Sequence, residues 1–252
     1  YSSEWLGYDA GVILSTGDAT TAVLTSNAVT TNASANTSVT SNDADFGTIG
    51  GGTANDAAFL EVTFVPTTSR VTLQFTLGSE EYNEYVYANV NDAIGVWVNG
   101  THISVTPTGE AVAIDTINQA ATYNPGNGNQ SRDANPGNGV FDSANPSLYL
   151  SNHAGAYSVV MDGFTVTLTL VANVTAGVNN TIKLGVADIG DSIYDSWMFV
   201  RENSLQCVTI ADTDYAETPI NTPITIDATA NDDTTSGPLN ITHINDKLVT
   251  LG

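Results

Sequence analysis

Short runs in which apolar and polar residues alternate recur along the chain, and this spacing is typical of β-strands with one buried face. The clearest run covers residues 57–66, with Leu60 and Phe64 on the same face. The same pattern predicts further strands at residues 11–14, 71–77, 93–98, 103–106, 164–172, 181–187, 196–200 and 207–211. Between two of these runs, Asn99 and Gly100 supply the positive φ angles of a type I′ turn, which predicts a hairpin.

Helical periodicity is scarce, so the sequence predicts an all-β fold. The one segment that favours a short helix covers residues 79–88. Residues 122–147 contain Asn-Pro-Gly-Asn-Gly twice and are predicted to form a long surface loop. We therefore expect a β-sandwich, jelly-roll-like in its connections, over residues 1–210.

The balance of charge is strongly acidic, with 27 Asp and Glu against 5 Lys and Arg and a net charge of −22. Because 41% of the residues are hydrophobic and only 13% are charged, the composition indicates a folded protein with an acidic surface. Such a surface excludes nucleic acid as a partner and disfavours anionic membranes. The sequence has no run of 18 apolar residues, so we expect no membrane insertion. The single cysteine, Cys207, excludes an internal disulfide.

The composition changes near residue 211, and residues 211–252 resemble the first third of a bacterial immunoglobulin-like or cadherin-like extender repeat. The resemblance rests on Thr-Pro-Ile-Thr-Ile-Asp at 222–227, predicted as a strand, on Ala-Asn-Asp at 230–232 and on Gly-Pro-Leu-Asn-Ile-Thr at 237–242. Such repeats resemble the stalk modules of large secreted adhesins, which implies a longer multidomain chain. The lack of an initiator Met favours the same interpretation.

Two acidic segments carry the candidate chemistry, and each directly follows a predicted strand. The first is Gly-Ser-Glu-Glu-Tyr-Asn-Glu-Tyr at 78–85, followed by Asn-Asp at 91–92, and the second covers residues 188–196. If the strands are neighbours, both segments converge at one end of the sandwich. Two carboxylates at ~4 Å repel each other by about 4 kcal/mol at an intermediate dielectric. The 5 basic residues are too few to neutralise the whole group.

A divalent cation would relieve this repulsion, and oxygen-only ligands on loops of variable geometry favour Ca²⁺ over Mg²⁺ or Zn²⁺. The alternative is that both segments are solvated acidic loops without a metal. Asp115, outside both segments, is expected to be an isolated acid. Catalysis is not predicted: the three His lack the spacing of a zinc site, no Gly-x-Ser-x-Gly elbow is present, and neither Glu80 nor Glu84 stands out as a glycosidase acid.

Six sequence blocks together resemble the choice-of-anchor L family of bacterial surface domains. The blocks are GVILSTGDA at 11–19, DAAFLEVTFVP at 56–66, GSEEYNEYV at 78–86, NDAIGVWVNG at 91–100, MDGFTVTLTL at 161–170 and ADIGDSIYDSWMFV at 187–200. The family includes calcium-dependent peptide-binding domains near the tips of repeats-in-toxin (RTX) adhesins. The resemblance therefore implies an extracellular domain at the bacterial cell surface.

By this resemblance the acids of the two segments are similar to calcium ligands. The residues implied as metal ligands are Glu80, Glu81, Glu84, Asp92, Asp188, Asp191 and Asp195. The residues predicted to contact a bound ligand are Tyr82, Asn83, Tyr85 and Tyr194, with Asp133 and Asn135 reaching in from the long loop. Adjacent residues on one loop often point apart, which makes Glu81 the less regular member of the metal set.

The expected function is Ca²⁺-dependent recognition of a peptide on another cell, through the C-terminal carboxylate of that peptide. A bound cation with open positions attracts an anion even in an acidic protein, and the family resemblance implies such an open shell. Two alternatives stay open: a lectin in which Ca²⁺ bridges sugar hydroxyls, and a structural role in which Ca²⁺ only stiffens the module. A lectin would favour an exposed Trp beside the acids, whereas Trp197 alternates into a predicted strand core.

Overall fold

The structure is a computed structural model, and it describes residues 6–23, 34, 43–83, 85–119, 121–122, 140–141, 143–152, 155–208, 214–230, 232, 241, 243–244 and 247–248. Fifteen strands and one α-helix, α1 (Ala44–Gly50), lie in this part of the chain. The strands are β1 (Gly11–Ser15), β2 (Ala54–Phe64), β3 (Arg70–Ser79), β4 (Ala93–Val98), β5 (Thr101–His102), β6 (Ala121–Thr122), β7 (Val140–Phe141), β8 (Tyr149–Ser151), β9 (Gly163–Thr165), β10 (Leu168–Asn173), β11 (Asn180–Ile189), β12 (Ser196–Arg201), β13 (Gln206–Cys207), β14 (His243–Ile244) and β15 (Lys247–Leu248).

Two antiparallel sheets make up the main body of the protein. The first has the order β1-β12-β3-β9-β8, and the second has the order β2-β11-β4-β5. The long strand β3 joins the first sheet together, because its first half pairs with β10 and β13 and its second half pairs with β12 and β9. The described residues also form two small ladders, β6 with β7 and β14 with β15.

The core lies between the two sheets and follows from the alternation along their strands. In β3, every second side chain from Val71 to Leu77 is buried. These side chains pack with buried residues of β4, β11 and β12, which include Ile94, Val96, Ile182, Leu184 and Met198. Burial of one such side chain is worth roughly 1.5–3 kcal/mol. The predicted all-β sandwich is therefore confirmed.

Most of the predicted strands are found with shifted ends, but the strand predicted at 103–106 is wrong, because the second strand of the hairpin, β5, ends at His102. The run at 164–172 is divided between β9 and β10, because Val166 N turns away to donate to Leu148 O (2.8 Å). The hairpin is confirmed, with Asn99 at φ 49° and Gly100 at φ 78° between β4 and β5. Of the predicted run at 207–211, Cys207 ends strand β13, and residues 209–211 lie outside the described residues.

The helix prediction for residues 79–88 is wrong, since the described residues after β3, 80–83 and 85–88, form turns. The helix forms instead at α1, in a polar region where the pattern predicts none. Its N-cap is Asp43, whose side chain accepts a hydrogen bond from Asp45 N (3.0 Å). Gly51 ends the helix in the left-handed conformation at φ 78°. Buried Phe46 attaches the helix to the second sheet.

The C-terminal part of the chain gives little support to the extender interpretation. Residues 222–227 are not a strand, so that prediction is wrong, and Ile224 and Ile226 are about half exposed at 51% and 49%. A strand needs a neighbour for its backbone groups, and none pairs with this segment among the described residues. The domain boundary at residue 210 and the extender repeat stay predictions.

Candidate functional site

The two acidic segments meet at one end of the sandwich, as the sequence predicts for neighbouring strands. Strand β12 lies beside β3, with Ser196 opposite Ser79 in the register. The first segment leaves the end of β3, and the second crosses from the end of β11 to the start of β12. Glu80 N donates to Asp195 O (3.2 Å), which joins the two segments directly.

Asp92 and Asp188 form the centre of this acidic end, with exposures of 1% and 3%. The two carboxyls are within hydrogen-bonding range of each other. Ser196 Oγ donates to Asp92 Oδ2 (2.6 Å), and Ile189 N donates to Asp92 Oδ1 (3.0 Å). The Thr16 hydroxyl interacts with the carboxylate of Asp188.

Electrostatics at this centre strongly disfavour two free negative charges. Burial raises the pKa of Asp92 to about 7, in spite of its hydrogen bonds from Ser196 and Ile189. Burial also raises the pKa of Asp188 well above its ordinary value. The charges of Asp92 and two further acids, Asp195 and Glu81, raise it still more. Without a cation, this pair of carboxyls therefore retains a proton at neutral pH.

A carboxylate oxygen of Asp188 stands out by its surroundings. Within the described part of the chain, Asp188 Oδ1 is buried and receives no hydrogen bond. Native proteins rarely leave a buried polar atom in this state, because the lost hydration costs about 1–3 kcal/mol. An oxygen of this kind, on a carboxylate with other acids beside it, suits contact with a cation.

Glu80, Glu81 and Asp195 complete the buried part of the acidic end, with exposures of 4%, 1% and 3%. Glu81 N donates to Ser79 Oγ (2.9 Å), which fixes the turn after β3. Glu80 and Glu81 are adjacent on one loop, and both side chains are buried. We name this set of five carboxyls, including Asp92 and Asp188, the acidic centre.

Asp191 lies at the rim of the acidic centre and not inside it. It is partly exposed, and its Oδ1 accepts a hydrogen bond from Ile193 N (3.1 Å). Its backbone oxygen accepts from Asn55 Nδ2 (2.8 Å), which ties the loop to β2. Its charge still acts on Asp92.

The tyrosines of the two segments lie in different environments. Tyr82 is fully buried in the core, with its ring centroid 4.8 Å from that of Tyr149. Tyr85 and Tyr194 are partly exposed, with centroids 5.0 Å apart and hydroxyl oxygens 3.3 Å apart. These two rings form an aromatic pair that joins the two segments at the surface. The role of Tyr82 as a wall of a ligand site stays a prediction.

Asn83 is half-buried, and its Nδ2 donates to Gln119 O (3.2 Å). Three residues of the predicted site, Glu84, Asp133 and Asn135, lie outside the described residues. Their roles as a metal ligand and as ligand contacts therefore stay predictions.

Sequence reasoning missed the contribution of the segment after β1. Thr16 is fully buried and accepts a hydrogen bond from Ser196 N (2.9 Å). A Cβ atom at Gly17 would overlap the carboxylate of Asp195, so only glycine leaves space for that acid. The Ser-Thr-Gly sequence at the end of β1 indicates this contribution, because small residues allow the close approach of another segment.

Asp115 is not the isolated acid that the sequence predicts. It is half-buried, and its Oδ1 accepts a hydrogen bond from Tyr87 N (2.5 Å). Burial raises the pKa of Asp115 to about 6. Its own backbone N donates to Asn91 Oδ1 (3.0 Å), beside Asp92. An exposed acid such as Glu202 is a better control for experiments on the acidic centre.

The donor set of the acidic centre consists of carboxylate oxygens, the ligands that a hard cation such as Ca²⁺ takes. The unpartnered oxygen of Asp188 and the scarcity of basic residues fit such an ion. Within the described residues, however, no three or more His, Cys, Asp and Glu side chains are arranged so that they could hold a metal ion. The metal-binding roles of the seven predicted residues stay predictions.

Comparison with known proteins identifies the family to which this chain belongs. The family model described as "Choice-of-anchor L domain" matches residues 2–206, and the chain belongs to this family. No curated protein and no solved structure matches the chain. The family indicates a secreted or cell-surface bacterial protein, and together with the β-sandwich it indicates a non-enzymatic surface domain. None of the helices in the described residues has the length and apolar character to cross a membrane.

Proposed function

We propose that this chain is the ligand-binding domain of a bacterial surface adhesin, and that it recognises a peptide in the presence of Ca²⁺. The observation that carries the proposal is the acidic centre. Five carboxyls from separate segments are buried at one end of the sandwich, next to a partly exposed aromatic pair.

Calcium is the part of the proposal that the electrostatics support most directly. The residues that would hold the ion are Glu80, Glu81, Asp92, Asp188 and Asp195, with Asp191 at the rim. Glu84 lies outside the described residues and is proposed as a ligand from the family resemblance alone. Burial is the main cause of the raised pKa values of Asp92 and Asp188, the charges of neighbouring acids add to it, and a bound cation would offset both effects. Because the acidic centre exists only in the folded chain, the ion would also stabilise the fold.

A peptide carboxylate fits the surface next to the acidic centre. In a chain with a net charge of −22, an anionic group is attracted only if a cation lies between it and the acids. Tyr85 and Tyr194 offer aromatic surface with hydroxyl groups at the rim. Asn83, half-buried in the first segment, is proposed as a further polar contact for the peptide.

A purely structural role for Ca²⁺ is the second candidate, and burial favours it. Asp92, Asp188 and Glu81 have exposures of 1–3%, which leaves them little surface for a ligand to reach. The lectin alternative has no such support, because Trp197, the Trp next to the second segment, is fully buried.

The calcium part is tested by calorimetry of Ca²⁺ against wild type, Asp188→Asn and the control Glu202→Gln. We expect wild type and the control to bind Ca²⁺ alike, and Asp188→Asn to bind it at least about tenfold more weakly because a neutral oxygen replaces a charged one. In chelator, Asp188→Asn should be more stable than wild type, since the repulsion is gone. Equal Ca²⁺ binding by all three proteins would show that the acidic centre is not the metal site.

The peptide part is tested on an array of peptides with free and amidated C-termini, read in calcium and in chelator beside a glycan array. Amidation removes the charge and should cost at least about 1.5–3 kcal/mol, the scale of a charged hydrogen bond. Equal binding of both peptide forms refutes the carboxylate mechanism. Binding of glycans alone supports the lectin, and Ca²⁺ binding without any ligand supports the structural role.

A further inference from the structure

Helix α1 is held on the second sheet by one cation, Lys183 of β11. Lys183 Nζ lies 2.6 Å from Asp43 Oδ2 and 2.8 Å from Asp45 Oδ2, at the start of the helix. Three aromatic rings surround the same ammonium group, with centroids at 4.9–5.5 Å, and they belong to Phe46, Phe59 and Trp97. An ammonium group among aromatic faces and two carboxylates is a strong fixed contact.

The other end of α1 contacts the residues that carry the acidic centre. Asn91 Nδ2 donates to the backbone oxygen of Gly50, the last residue of the helix (3.1 Å). A Cβ atom at Gly50 would overlap the side chain of Ile189, so helix and loop are in direct contact. Gly190 N donates to Thr53 O (2.9 Å), just after the helix. The helix therefore contacts the neighbours of both Asp92 and Asp188.

These neighbours also hold the two acids relative to each other. Asn91 N donates to Ile189 O (3.2 Å), and Ile189 N donates to the carboxylate of Asp92 (3.0 Å). The backbone of β11 is irregular at this point, because its register with β2 shifts between Val186 and Asp188. A strand with a bulge is locally less constrained by its ladder, so a contact from outside the sheet fixes it.

We propose that α1 acts as a clip that sets the separation of Asp92 and Asp188, and that Lys183 closes this clip. Lys183 is a positioning residue, since Asp188 lies five positions further along β11, a distance of about 16 Å in an extended strand. Its effect on the acids passes through α1 and through the contacts of Asn91 and Ile189. The calcium readout of this inference rests on the proposed function, whereas the structural readout does not.

The test compares Lys183→Met, which removes the ammonium group and keeps an apolar stem against the rings, with Arg201→Met. The control removes the same charge from an exposed residue of β12 that donates to Gln74 Oε1. Lys183→Arg keeps the cation and should restore wild-type behaviour. If Lys183→Met does not fold, Asp45→Asn removes one of the two ion pairs at an exposed side chain and takes its place.

Two measurements are made on each protein. The first is Ca²⁺ affinity by calorimetry, where Lys183→Met should bind about fivefold more weakly, at the low end of measured couplings between sites. The second is amide hydrogen exchange in chelator at Ile189 and Gly190, relative to the amides of β3, which report global unfolding. In Lys183→Met these two amides should exchange faster than in wild type. In Arg201→Met their exchange rates should be the same as in wild type.

Lower global stability of Lys183→Met, with unchanged exchange at Ile189 and Gly190, would overturn the inference and leave the lysine as a stabilising contact only. Unchanged Ca²⁺ affinity in a wild type that binds Ca²⁺ would overturn it as well. If wild type binds no Ca²⁺, the proposed function fails, and the exchange measurement still decides whether the clip exists.

Discussion

Replacing Asp115 by asparagine measures how much the burial of one charged carboxylate lowers the stability of the fold. Burial raises the pKa of Asp115 from 3.8 to about 6, with only the hydrogen bond from Tyr87 N opposing the shift. Each pKa unit corresponds to about 1.4 kcal/mol, so the shift corresponds to a loss of folding free energy of at most about 3 kcal/mol. Because part of the side chain meets solvent, we expect about 1–2 kcal/mol. Asparagine keeps an oxygen for the Tyr87 N–H and removes the charge.

The sign of this effect depends on pH. Below pH 3.8 the carboxyl is protonated in the folded and the unfolded chain, and the penalty is absent. As pH rises from 3.8 to about 6, the unfolded chain releases the proton and the folded chain keeps it, so wild type loses stability in this window. Asp115→Asn does not titrate, and its advantage over wild type should therefore grow over the same window and stay constant above it.

The assay is urea unfolding of wild type, Asp115→Asn and the exposed control Glu202→Gln at pH 4 and pH 7.5, all in chelator. Relative to wild type, the free energy of unfolding of Asp115→Asn should be higher by about 1–2 kcal/mol more at pH 7.5 than at pH 4. The control Glu202→Gln should show no such change with pH. An equal loss of stability at both pH values would contradict a burial penalty on the Asp115 carboxylate. It would mean that the Asp115 carboxylate is needed to order the backbone of Tyr87.

Three further predictions concern the same end of the molecule. Wild type should melt at a higher temperature in Ca²⁺ than in chelator, with a gain of about 3–4 kcal/mol at 100 to 1,000 times the dissociation constant; an unchanged melting temperature contradicts the calcium proposal. Gly17→Ala should lose about 1–3 kcal/mol in urea unfolding, because its Cβ overlaps the Asp195 carboxylate, and an unchanged midpoint would show that Asp195 can move away. Tyr82→Phe should keep or raise the stability, since the buried Tyr82 hydroxyl has no hydrogen-bond partner within the described residues; a loss above about 1 kcal/mol would show that this hydroxyl is bonded.

Local periodicity was enough to predict much of the fold. Alternation along β3 predicts its buried face directly, and Asn99-Gly100 predicts a hairpin because few residue pairs adopt two successive positive φ angles. The same local reasoning fails at α1, where seven residues are too short to show a helical period. It also misplaces a helix at 79–88, where acids and tyrosines follow the end of a strand.

Composition and local patterns are sufficient to predict an acidic, all-β protein in which two acidic segments follow strands. The pairing of β12 with β3, which brings Glu80 and Asp195 together, emerges only in the folded chain. Burial of Tyr82 and the half-burial of Asp115 could not be predicted, since both depend on segments distant in the chain. The same holds for Lys183, whose two ion-pair partners are more than a hundred residues away along the chain. Short-range patterns record the local preference of the backbone, whereas charge, burial and pKa depend on which surfaces the fold brings into contact.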